Sequence, residues 1–76
     1  MPTKGRAVPD DRITALRSAD VARVRAWAKR ARVELFGDDS LLLWSIHEAR
    51  SIMPEATAEE RAASVAWLDE HPKPAD

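Results

Sequence analysis

The chain has 76 residues, no cysteine and a formal net charge of −1. That length makes one small domain, able to bury only roughly 60% of the surface its unfolded form exposes, and the missing thiols exclude disulfides and thiolate metal ligation. The small net charge hides a split: residues 1–33 carry nine Lys and Arg against three Asp (+6), whereas residues 34–76 carry three against ten Asp and Glu (−7).

Such polarity either holds two parts of one fold together or leaves a basic face for an acidic partner. The residue choice is lopsided, with nine Arg to three Lys, fourteen Ala, and no Asn, Gln or Tyr. The placement of the arginines therefore says more than their number. No apolar run is longer than Leu41–Trp44, far short of the roughly 20 residues a membrane-spanning helix needs. Met1–Pro9 has basic residues without an apolar stretch behind them, which is not the form of a signal peptide. An intracellular, cytoplasmic location is the expectation.

In chain order, residues 1–9 combine two prolines, a glycine and two basic residues without apolar periodicity, and are expected to form a flexible basic arm. Residues 10–72 are expected to form a single helical domain, followed by a frayed tail over 73–76. Asp10–Ser18 has two readings. Ile13 and Leu16 have the i, i+3 spacing of a buried helical stripe, but the same residues also suit an extended segment laid across the core.

From Ala19 the pattern is helical, with Ser18 as N-cap and Asp20 complementing the helix dipole. Val24, Trp27, Ala28, Ala31 and Leu35 share one face, and Gly37 suits the left-handed position that closes a helix, so a first long helix is expected from Ala19 to Phe36. Asp38, Asp39 and Ser40 then cap a second helix starting at Leu41, with Leu42, Ser45, Ile46, Ala49 and Met53 inward and Pro54 as its stop. Thr57 and Glu60 have the spacing of a capping box. A third helix from Ala58 to Glu70 follows, with Ala62, Val65 and Leu68 as its inner stripe, Ala63 and Trp67 on a neighbouring face, and His71-Pro72 ending it. No alternating β-branched run marks a strand. Short links make an all-α three-helix bundle with a flexible N-terminal arm the expected fold, each helix carrying one of Trp27, Trp44 and Trp67.

Two surfaces are candidate binding sites. On the first helix, Arg25, Lys29 and Arg32 lie on one flank, Arg23 and Arg30 on the other, and a back strip of Ala22, Ala26 and Val33 between them. This face suits an acidic protein, a second copy meeting at Ala22 and Ala26, or phosphates; it equally suits a solvated face with partners within the chain. On the second helix, Leu43, Trp44 and His47 lie opposite the Leu42–Ile46–Ala49 face, and an exposed Leu-Trp-His group is a partner anchor. The alternative is that both faces of that helix are covered.

A helix-turn-helix alignment with Gly37 as the turn glycine puts Phe36, Leu43 and Ile46 where buried residues are wanted, but also Arg32 and Asp38. Its recognition helix carries one Arg and an acidic entry, unsuited to a major groove. Nucleic acid is therefore the alternative reading, through Arg6, Arg12, Arg23, Arg25, Lys29, Arg30 and Arg32. Such binding weakens roughly a thousandfold or more between about 50 and about 200 mM salt for about 6 to 10 phosphate contacts.

Chemistry is sparsely represented. His47-Glu48 starts like a zinc helix, but position 51 is Ser and His71 is the only other histidine, so no metal or cofactor is expected. His47, Glu48 and Ser51 on one helix face form the best imaginable acid–base group, in a chain too small to enclose it. The expectation is a non-enzymatic interaction protein that binds another protein or itself.

Overall fold

The computed structural model describes residues 7–74, with side chains from Arg12 onward. Its elements are all helical: α1 (Ala7–Ser18), α2 (Val21–Ala31), α3 (Asp39–Ile52) and α4 (Ala58–Glu70). The all-α class holds, with four helices in place of three, because Asp10–Ser18 takes the helical of its two readings and extends back to Ala7. The expected arm therefore loses residues 7–9 to α1, and its remainder, with Arg6, lies outside the described residues, as do residues 75–76 of the tail.

The boundaries of α2 differ most from expectation. Ser18 ends α1, its hydroxyl donating to the Ala15 carbonyl at 2.5 Å. Ala19 turns left-handed with φ 53°, and Asp20 becomes the N-cap, its carboxylate accepting from the Ala22 and Arg23 amides at 2.8 and 3.4 Å. At the other end Arg32 takes the left-handed position, φ 59°. The Val33 amide donates back to the Ala28 carbonyl at 2.9 Å, a six-to-one closure that ends the helix. The expected rod of residues 19–36 thus stops at Ala31, five residues short, because a non-glycine residue takes the conformation that Gly37 was expected to supply. Gly37 instead shapes the link: its φ is 89°, and a Cβ there would lie 2.6 Å from Leu41 Cδ2.

The other ends follow local chemistry. Asp38 caps α3 by accepting from the Leu41 amide at 3.0 Å. The Thr57–Glu60 capping box is complete, with the Glu60 amide donating to Thr57 Oγ1 at 3.0 Å and the Thr57 amide donating to Glu60 Oε1 at 2.9 Å. One Arg61 guanidinium nitrogen donates to the carbonyls of Met53, Pro54 and Ala56 in the intervening turn.

The main core joins α1, α2 and α3 through Ala15, Val24, Leu42 and Ile46, with Leu16, Trp27 and Leu35 packed against it. Leu35 reaches this core from the link, and Ala31, expected inside, is exposed. Helices α1, α2 and α3 pack against one another, whereas the main helix packing of α4 is on α3. The assembly is a slab of 46 × 28 × 15 Å with a radius of gyration of 13.3 Å, against about 11 Å for a compact domain of this length. A thin slab leaves apolar side chains outside. Phe36 is 77% exposed and Ile52 79%. Val65, expected on the inner stripe of α4, is outside as well, and so is Ala62.

Candidate functional site

What α4 turns toward α3 is polar and aromatic. Ser64 is fully buried, and its small side chain lets the two helices approach closely. Arg50 Nε donates to Ser64 Oγ at 2.7 Å, and the same hydroxyl is hydrogen-bonded to His47 Nδ1, 3.0 Å away. Arg50 also donates to the Arg17 carbonyl at 2.8 Å. Arg17 in turn forks onto Glu60, Nε to Oε1 at 2.9 Å and the terminal nitrogen to Oε2 at 3.2 Å. A continuous chain of hydrogen bonds therefore ties α1, α3 and α4, and no buried side-chain polar atom among the described residues lacks a partner.

The same packing decides between the two readings of the Leu43–Trp44–His47 face, because α4 covers it. His47 is buried there at 7% exposure, not exposed as a partner anchor. Its ring stacks on Trp67 with centroids 4.1 Å apart and planes 12° from parallel. His71 stacks on the opposite face of Trp67 at 4.0 Å and 9°, anchored by its own Nδ1 against the Trp67 carbonyl at 2.8 Å. Burial first, then the charges of Arg50 and His71, hold the His47 ring below the usual histidine range. Hydrogen bonds from Arg17 and from the Thr57 amide hold the Glu60 carboxyl below the usual carboxylate range.

His47 and Ser64 make a serine–histidine pair, but the serine has no exposed surface for a substrate. Ser51 does not join it, since its hydroxyl donates to the Glu48 carbonyl at 2.7 Å. Among the described residues no group of three or more His, Asp or Glu is placed to hold a metal, and no helix is long and apolar enough to cross a membrane.

Leu43 and Trp44 are half-buried and line a surface cleft of about 410 Å³ between α3 and the end of α4. Trp67, His71, Pro72 and Pro74 form its other apolar walls, and Ser40 and Glu70 supply polar groups. Pro72 and Pro74, on either side of Lys73, line the cleft, and the Lys73 ammonium, in the segment expected to fray, stands over the Trp44 ring, 5.6 Å from its centroid. Sequence periodicity pointed to Trp44 but missed the far wall, because Trp67, His71 and the prolines reach it only through the packing of α4 on α3.

The basic face is divided. Arg23 and Arg30 flank a depression of about 220 Å³ with Thr14, Ala15 and Ala26. Arg25 and Lys29 flank another, of about 190 Å³, with Val33 and Leu35. Ala22 and Ala26 are exposed, as the back strip requires. Val33 and Arg32 are not part of α2 and leave that strip and flank. Arg25 is already engaged with Asp39, at 3.0 and 2.8 Å. With Arg17–Glu60, this pair joins the basic part of the sequence to the acidic part. The helix-turn-helix alignment fails on Phe36, which it requires to be buried.

Comparison with protein-family models, with curated proteins and with solved structures finds no match for this chain.

Proposed function

We propose that this chain is a non-enzymatic binding module that docks another protein in the cleft between α3 and the end of α4, with Trp44 as the anchor. The observation that carries this reading is the cleft itself: concave, about 410 Å³, walled by two tryptophans and two prolines with few polar groups. Recognition sites combine these properties, and half-buried Trp is frequent among the residues that carry binding energy. The slab form supports a binding role in another way, since Val33, Phe36, Ile52 and Val65 remain exposed on it.

The test is capture of partners from an extract of the source organism with wild-type, Trp44→Ala and Phe36→Ala chains, each checked for helicity. A docking partner is retained by wild type and by Phe36→Ala, which changes an exposed apolar group outside the cleft, and is lost with Trp44→Ala. A Trp44→Ala chain that unfolds makes Trp44 a core residue and removes the anchor. Sedimentation of the wild type separates a foreign partner from a second copy.

Nucleic-acid binding is the second reading. It is favoured by the shared position of Arg23 and Arg30 beside one depression, and disfavoured by the engagement of Arg25 with Asp39. Titration against duplex DNA at low and high salt decides it: absence of binding at low salt ends this reading.

A further inference from the structure

We infer that the partner enters this cleft with the ammonium group of a lysine side chain, seated over the face of Trp44 where the chain's own Lys73 lies. The inference rests on the docking reading above and names its chemistry. Lys73 Nζ is 5.6 Å from the Trp44 centroid, inside the roughly 6 Å at which a cation is held by an indole face. Both faces of Trp67 are taken by His47 and His71, so Trp44 is the indole of this cleft whose face receives a cation. The Glu70 carboxylate lines the same cleft and supplies the complementary charge.

Leu43 and Pro74 offer apolar surface to the four-carbon stem that a lysine lays down behind its charge. The surrounding sequence is the acidic part of the chain, at −7 over residues 34–76, which draws cations toward this end. Lys73 itself is exposed. Its hold on Trp44 is therefore of the weak, solvated kind, and it exchanges readily for an incoming lysine. The chain thus carries an internal competitor of the same chemistry as its ligand.

The experiment follows the indole N–H resonances of Trp44 and Trp67 in the full chain by NMR. The probes are acetyl-Pro-Lys-Pro-amide, the same peptide with norleucine in place of lysine, and choline. The lysyl peptide is expected to shift the Trp44 resonance saturably, and the norleucine peptide to bind more weakly. Lys73→Gln, by removing the competitor, is expected to tighten the lysyl peptide about three- to sixfold, and Glu70→Gln to loosen it. Both substitutions change exposed residues, so neither depends on Trp44 being dispensable to folding.

Equal binding of the two peptides overturns the inference, and so does an unmoved Trp44 resonance in Lys73→Gln. Choline saturating the site where the lysyl peptide does not overturns the assignment to a protein lysine. The two readings fail separately. Equal peptide binding removes the cation and leaves an apolar docking cleft, whereas a captured partner indifferent to Trp44→Ala removes the docking site itself.

Discussion

The two helix junctions of this protein are built from different materials. Where α1, α2 and α3 meet, the contact is made by aliphatic groups, Ala15, Val24, Leu42 and Ile46. Where α4 meets α3, the centre is a serine, a histidine and an arginine, flanked by stacked rings. Aliphatic packing is non-directional and accepts many neighbours, while a hydrogen-bonded centre accepts one register. The first junction therefore holds the domain together, and the second fixes where α4 lies and so sets the shape of the cleft.

Substitutions and acid sharpen that contrast. The largest effect is expected from Ile46→Ala, at a residue 2% exposed: a loss of about 2–5 kcal/mol, read by urea denaturation. Next is Ser64→Ala, which leaves Arg50 Nε and His47 Nδ1 without their partner, with an expected loss of about 1–3 kcal/mol. If Ser64→Ala is neutral, the polar centre does not hold α4 and the contrast between the junctions fails. Ser64→Leu should lift α4 from α3 and abolish the cleft while the α1–α2–α3 core persists. The check is loss of near-ultraviolet ellipticity from Trp67 with most helicity retained.

Acid comes third. The folded state holds His47 below its ordinary value, so it disfavours the imidazolium that Arg50 and His71 face. Stability from this source is present above the unfolded pKa and lost as pH falls through the lowered, folded one. The urea midpoint should fall from about pH 7.5 to about pH 5.5, and His47→Gln should reduce that fall. A second loss, at lower pH, comes from Glu60. Its depressed carboxyl keeps the Arg17 fork and the capping box while ionised and gives them up on protonation. The smallest effect is a gain: Arg32→Gly relieves a left-handed residue with φ 59° and should add about 0.5 kcal/mol, seen as a small rise in melting temperature.

Much of the secondary structure was legible because it is written locally. The capping box of Thr57 and Glu60, the cap at Asp38, the stop at Pro54 and the end at His71-Pro72 all use side chains within a few residues of the groups they satisfy. The end of α2 was not legible, since Arg32 has no intrinsic preference for the left-handed turn and Gly37 offered a more favourable place for it. The inner face of α4 was hidden for a different reason. Apolarity selects Ala62, Val65 and Leu68, whereas Ser64 is buried because Arg50 and His47, 14 and 17 residues away, satisfy it. For the candidate site, periodicity put Leu43, Trp44 and His47 on one face, and of the two readings of that face the structure gives the covered one, with His47 beneath α4. A polar ring can be enclosed once a hydroxyl takes up its edge and an indole stacks on its face, and nothing in the local pattern announces that.

The one-sided support of α4 has a consequence for how this protein registers its ligand. An element braced mainly by a single neighbour can detach while the remainder stays native, so its amides trade with solvent through a partial opening of lower cost than global unfolding. Anything seated between Trp44 and the end of α4 bridges the detachable piece to its support and acts as a clasp. Occupancy should then be visible as slowed deuterium uptake across residues 58–70, the first turns of α4 remote from the cleft included, with α1 and α2 unchanged.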